Sequence, residues 1–176
     1  TITDVVFVVA PRINAAGRMK HGNYAVTLLV EKEYEKALQF AAEIDEYNSD
    51  RREEDKRITQ EALIQIEQLG EQNNLTTVVY QEDWHKGVIG IVASRLTETY
   101  YRPTLVFTRS GDKLAASARS VRDFDIYNVI EACSEHIEQF GGHKYAAGLT
   151  MKEENYEAFK QAFEDEVSNT IDRSLL

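Results

Sequence analysis

EYEKALQFAAEIDEYNSDRREEDKRITQEALIQIEQL, residues 33–69, is the stretch on which the architecture turns. At spacings of three and four, Tyr34, Ala37, Leu38, Ala41 and Ile44 form a small or apolar helical stripe. The stripe turns polar at Asn48, Arg51 and Asp55, then resumes at Ile58, Ala62, Ile66 and Leu69. A helix lying on one core keeps its stripe throughout. One that packs at its two ends and bridges between them loses it in the middle. At about 1.5 Å per residue such a helix spans about 55 Å. The segment 31–72 therefore reads as a connector, with residues 1–30 before it and 73–176 after it. Two helices broken near Asn48–Ser49 are the alternative.

Upstream, Asp4–Ala10 is an apolar, β-branched run stopped by Pro11 and reads as a buried strand. Asn14-Ala15-Ala16-Gly17 reads as a turn of small residues, and Asn23–Val30 as a short helix. Downstream of the polar break 70–75 come a strand at 76–80, a loop at 84–87 and an amphipathic helix at 88–99. Strands at 103–108 and 113–118 are joined by a turn at Ser110-Gly111. A helix follows over 125–138, N-capped by Asp125. Then come a Gly141-Gly142-His143 loop, a small-residue strand at 146–151 and a closing helix over 152–171. Strands alternating with helices predict an α/β domain from about residue 73 onward.

The 176 residues suffice for one domain and an appendage, or for two small domains. The apolar runs are too short for a membrane span, and residues 1–10 lack the basic start of a secretory leader. The single cysteine, Cys133, has no internal disulfide partner, which fits a reducing, cytoplasmic setting. With 30 acidic against 20 basic residues the net charge is −10, which argues against a polyanion ligand for the molecule as a whole. The acids crowd 31–73 and 153–166. The stretch 109–144 is nearly balanced and leaves room for a local anion site.

Four segments could carry chemistry. In Gly141-Gly142-His143, paired glycines let the backbone approach a ligand, and an imidazole can donate to a phosphate oxygen. A tight turn beside a packed strand is the plainer reading. Ser117 and Arg119 share one strand face, placing a hydroxyl beside a guanidinium fork that suits phosphate or carboxylate. A surface ion pair would use the same arginine. Trp84-His85-Lys86-Gly87 opens a helix whose N-terminus favours anions, and Trp84 either stacks on a base or packs in the core. Arg12 and Arg18 flank a small-residue turn and either grip phosphates or lie in a solvated loop. No Walker loop, HExxH, CxxC or GxSxG is present, and His21, His85, His136 and His143 are scattered singly. Nothing local supplies the converging ligands of a two-metal centre.

Taken together and in order, these segments resemble the RecJ family of the DHH phosphoesterase superfamily. The resemblance rests on Arg12-Ile13-Asn14-Ala15-Ala16-Gly17-Arg18, on Asn48 and Arg51, and on the run from Trp84 to Arg95. It rests further on Ser117-Ala118-Arg119-Ser120, and on Gly141-Gly142-His143 followed by Ala146-Ala147-Gly148. It implies a DHHA1-like mixed sheet with flanking helices over 73–176, the connector at 31–72, and the tail end of a DHH catalytic domain at 1–30. It implies 5′→3′ exonuclease action on single-stranded DNA in recombination and repair, with Mn²⁺ or Mg²⁺ held by DHH-domain motifs that this sequence does not contain. The chain alone is then expected to be inactive. By the same resemblance Ser117 and Arg119 hold the 5′-phosphate, Arg18 contacts the DNA backbone, and Gly141, Gly142 and the catalytic His143 steady a phosphate near the metals. Arg12, Asn14, Arg51, Trp84 and His85 are further candidate DNA contacts. Single-stranded-DNA-binding protein and a repair helicase are the implied partners, in the cytoplasm and with no membrane. Two other readings stay open. One is the DHHA1 part of a phosphoesterase for short oligonucleotides or nucleoside bisphosphates. The other is a non-catalytic nucleic-acid-binding module.

Overall fold

The protein, described over residues 1–172 of a computed structural model, divides by its internal contacts into residues 1–56 and a second unit from Arg57 onward. In the first unit, α1 (Ile2–Asp4) runs through a π-helical stretch, Val5–Val9, into α2 (Ala10–Met19), and α3 (Asn23–Val30) follows. The expected strand at 4–10 is thus helical. No strand occurs among the described residues of this unit, and a lone strand would leave its N–H and C=O groups unpaired. Helical winding satisfies them locally. Pro11 falls where the π-helical stretch passes into α2, so its missing donor interrupts the hydrogen-bond ladder at that junction. The expected turn 14–17 lies inside α2, where Ala15 and Ala16 are buried. A small core joins Ala16, Ala25 and Ile44, flanked by Ile13, Leu28 and Tyr47.

α4 (Tyr34–Gln68) is one unbroken helix, which removes the two-helix alternative. The division between the two units falls within it, after Lys56. Ile44 is buried in the first unit, and Ile58, Ala62 and Ile66 are buried in the second. The polar middle is tied along the helix: Arg51 Nη2 donates to Asn48 Oδ1 at 2.8 Å, and Arg51 lies 4.0 Å from Asp55.

The second unit is an α/β domain around five strands: β1 (Thr77–Tyr80), β2 (Thr104–Ser110), β3 (Lys113–Arg119), β4 (Gln139–His143) and β5 (Ala146–Met151). Their order is β1-β2-β3-β5-β4. β1 and β2 are parallel and the other pairs antiparallel, so the sheet is mixed. α5 (Ile89–Tyr100) makes the crossover from β1 to β2 and packs on β2 and β3. α6 (Ile126–Ala132) packs on β4 and β5, and α7 (Tyr156–Thr170) packs on α6.

Register separates the two faces, because paired residues point the same way. Leu105, Phe107, Leu114, Ala116, Ala118, Ala147, Leu149 and Met151 face a core with Ile126, Ile130, Phe159 and Phe163. Burying each large side chain in that core contributes about 1.5–3 kcal/mol. Among the described residues of this unit, α5 covers the opposite face at β2 and β3 and leaves β4 and β5 open.

Two sequence expectations need correction here. The helix expected over 125–138 keeps its cap, Asp125 Oδ1 accepting from the Tyr127 and Asn128 amides, but ends at Ala132. A 3₁₀ turn, Ser134–His136, follows, and the Glu138 N–H already bonds the Thr150 carbonyl as the chain enters the sheet. The Gly141-Gly142-His143 segment is not a loop but most of β4, paired in register with 146–148. Among the described residues no helix is long and apolar enough to cross a membrane.

Candidate nucleic-acid interface

Three adjacent strands align the suspected residues in two rows. Arg119 of β3 pairs with Ala146 of β5, which pairs with His143 of β4. One step along, Ser117 pairs with Gly148, which pairs with Gly141. All six share the sheet face opposite the α6–α7 core. With strands about 4.8 Å apart, Arg119 and His143 stand about 10 Å from each other across the small residues of β5. The outcome is a platform paved with glycine and alanine, bounded by Ser117 and Arg119 on one side and His143 on the other.

The glycines separate into two kinds. Gly142 has φ of +150°, and a Cβ there would lie 2.4 Å from the Ala146 carbonyl oxygen and 2.5 Å from the Ala147 Cα. Its glycine is required by the hairpin itself. A Cβ at Gly141 would meet nothing within 4 Å, and one at Gly148 only an ordinary contact at 3.5 Å. Both are exposed. The fold makes no demand for glycine at these two neighbours, so their smallness leaves open surface. The sequence suggested that small residues after His143 admit a packed element. Only Ala147 faces the core, while Gly148 is open.

Arg119 Nη1 donates to Ser117 Oγ at 3.1 Å and to the Ala118 carbonyl at 2.7 Å. As an acceptor in that bond, Ser117 keeps its hydroxyl proton to donate elsewhere. Gly90, in the first turn of α5, closes over the pair: a Cβ on it would lie 3.0 Å from Arg119 Nη2 and 3.0 Å from Ser117 Oγ. The positive end of the α5 dipole is thereby set beside the guanidinium and the hydroxyl. His143 is exposed, and its Nδ1 accepts the Tyr145 N–H at 3.3 Å. The neutral ring then carries its proton on Nε2, as a hydrogen-bond donor.

The inventory of this face decides the sign of its ligand. Lys113, Ala115, Ser117 and Arg119 on β3, Ala146, Gly148 and Thr150 on β5, and Gln139, Gly141 and His143 on β4 include no carboxylate, in a chain with 30; the Glu138 carboxylate reaches Lys113 at the far end of β3 and is paired with it. One guanidinium, hydroxyls and one imidazole suit an anion and not a divalent cation. Among the described residues no group of three or more His, Cys, Asp or Glu side chains could hold a metal ion.

The other suspected residues lie elsewhere. Arg12, Asn14 and Arg18 are on α2 and Arg51 on α4, all in the first unit. Arg12 is held by Asp45 at 2.8 Å and by the Val8 carbonyl at 2.9 Å. Asn14 and Arg18 are exposed. Trp84 is only 3% exposed, and its indole N–H is given to Glu61 at 2.8 Å. Its ring fills the interior, as the packing alternative had it, and is not placed to stack on a base. His85 is half-buried, its Nδ1 accepting the Gly87 N–H at 3.1 Å. Sequence reasoning missed Gly90. A lone glycine in a helical pattern was the available signal.

Residues 72–169 match the DHHA1 domain family. The chain is 37% identical to the single-stranded-DNA-specific exonuclease RecJ of Bacillus subtilis over 169 residues, which is 95% of this chain and 21% of that protein. It is 36% identical to that of Haemophilus influenzae, over the whole of this chain and 32% of the relative. The crystal structure of RecJ from Thermus thermophilus in complex with Mn²⁺ superposes with a TM-score of 0.86 at 29% identity, covering 96% of this chain and 25% of that one. A manganese-bound exonuclease RecJ superposes at 0.87 and 28% identity, covering 98% of this chain and 43% of that one. The chain thus spans between a fifth and a third of the curated relatives it matches.

Proposed function

The chain belongs to the DHHA1 domain family, and from that premise we propose that it is the substrate-gripping part of a 5′→3′ exonuclease specific for single-stranded DNA. The observation that carries this reading is the carboxylate-free platform, with Ser117 and Arg119 at one edge, His143 at the other, and two glycines between them that the fold does not require.

The 5′-terminal phosphate is held at Ser117 and Arg119. The guanidinium provides charge-assisted bonds of about 1.5–3 kcal/mol, the Ser117 hydroxyl donates its proton, and the α5 N-terminus adds about 0.3–1 kcal/mol. His143 donates from Nε2 to the next phosphate across the platform, the one to be cut. Arg18, Arg12, Asn14 and Arg51 of the first unit, with His85, contact the DNA backbone. Divalent metal, Mn²⁺ or Mg²⁺, would supply an activated water for the cut; among the described residues no group of three or more His, Cys, Asp or Glu side chains is gathered to hold it. The complete protein acts in the cytoplasm in recombination and repair, with a single-stranded-DNA-binding protein and a helicase as partners.

The test is binding of this chain to a fluorescent single-stranded oligonucleotide at low salt, 5′-phosphorylated against 5′-hydroxyl. Tighter binding of the phosphorylated strand is expected. Equal affinity for both ends refutes end recognition at Ser117 and Arg119.

A further inference from the structure

The platform does not end at the row of Ser117, Gly148 and Gly141. One step further, Ala115 of β3 pairs with Thr150 of β5, which pairs with Gln139 of β4, all on the same face. Over these two rows lies a depression of about 300 Å³, floored by Ala115, Gly148 and Gly141, edged by Thr150 and Gln139, with Lys86 at the rim. Lys86 is exposed, and its Nζ donates to Ser110 Oγ at 3.0 Å. The volume is about ten times the ~30 Å³ share of a liquid water, the scale of a nucleobase and too large for an ion. Its walls are mostly apolar, and its three polar groups stand at the margin.

Resting on the phosphate reading above, we infer that this depression is the subsite for the base of the 5′-terminal nucleotide. The placement follows from the rows. A 5′-phosphate at Ser117 and Arg119 and the next phosphate at His143 leave the sugar over Ala146 and Gly148, so the attached base turns either off the sheet or along it. Along the sheet, toward Thr150 and Gln139, the surface is recessed. The floor presents peptide planes and methyl groups that take the flat face of any base. The margin suits all four bases: the Gln139 amide both donates and accepts, the Thr150 hydroxyl does the same, and Lys86 donates to ring nitrogens or carbonyls. The site reads the presence of a base and not its identity, as a strand-degrading enzyme requires. Lys86 adds positive charge beside the bound strand.

The test uses the complete exonuclease in metal-free buffer, so that binding is measured without cutting. The probes are 5′-phosphorylated oligonucleotides with a normal or an abasic first residue, and the normal strand with a 5′-hydroxyl. The abasic end should bind the wild-type protein about fivefold or more weakly, as for loss of one base contact. Gly148→Val, which fills the floor, and Lys86→Ala, which removes the rim donor together with its bond to Ser110 at the end of β2, should each shrink that difference. Equal affinity for normal and abasic ends in the wild type overturns the inference, as does discrimination that survives in both variants. The 5′-hydroxyl strand is read separately: if it binds as well as the phosphorylated one, the phosphate assignment fails whatever the base result.

Discussion

Gly90 of α5 and Arg119 of β3 are packed so closely that a methyl group on Gly90 would lie 3.0 Å from Nη2 of the guanidinium. The same methyl would be 3.0 Å from Ser117 Oγ. Helix and strand thus approach so closely at the pair that only a hydrogen atom fits at position 90 without a neighbour shifting.

Gly90→Ala should therefore separate stability from recognition. Alanine in a helix is favoured over glycine by about 0.5–1 kcal/mol, so the melting temperature should hold or rise slightly. The guanidinium and hydroxyl must shift by a few tenths of an ångström, so the preference for a 5′-phosphorylated strand should fall. Paired thermal melts and binding titrations measure both. A variant that keeps its phosphate preference would show that the Ser117–Arg119 geometry is not held from α5.

Arg119→Ala should weaken binding of a 5′-phosphorylated strand by about 10- to 150-fold, the equivalent of a charge-assisted bond of about 1.5–3 kcal/mol. The 5′-hydroxyl strand should lose far less. Arg119→Lys should recover only part of the loss, because an ammonium is a point charge without the planar fork. Anisotropy titrations of the three proteins against both strands decide it. Equal losses on the two strands would make Arg119 a general backbone contact.

Much of this was legible in the sequence, for identifiable reasons. The stripe of α4, the alternation of β3 and the cap at Asp125 are local patterns, and the structure keeps them. Ser117 and Arg119 could be placed on one face because a strand has period two. β4 could not be read: Gln139–His143 holds two glycines and no β-branched residue, and it is a strand only because β5 pairs with it. The run Val5–Val9 carries strand-like residues, yet among the described residues of its unit it has no strand to join. Gly141 and Gly148 meet within the β4–β5 hairpin, but their alignment with Ser117 depends on β3 as well, and no local window contains all three strands.

Those two glycines and Gly142 should behave differently when substituted. Gly142→Ala places a methyl 2.4 Å from a backbone oxygen at a φ of +150°, where neither neighbour is a flexible side chain. A loss of about 2–4 kcal/mol is expected, with β4 opening first. Gly141→Ala adds a methyl to empty space and should leave stability within about 0.5 kcal/mol. Urea midpoints, with amide exchange on β4, compare them. If Gly142→Ala melts like wild type, the hairpin is not constrained as described.

Cys133 offers a readout of the second unit that is independent of DNA. It is buried against the α6–α7 core, and burial, assisted by the charges of Glu166 and Glu135, pushes its thiol up from 9.0 to about 11. The folded state therefore keeps the proton at a pH where the unfolded chain releases it. Stability from this group is fully present below about 9 and drains away as pH rises toward 11. Burial shifts the hydroxyls of Tyr156 and Tyr80 in the same direction, so they add to the alkaline loss. Urea midpoints between pH 8 and pH 11 should fall, and Cys133→Ala should flatten part of that slope. At pH 8.5 iodoacetamide should leave the folded thiol unmodified and alkylate it promptly in urea. Rapid labelling without denaturant would mean that α6 opens far more readily than its packing against β4, β5 and α7 implies.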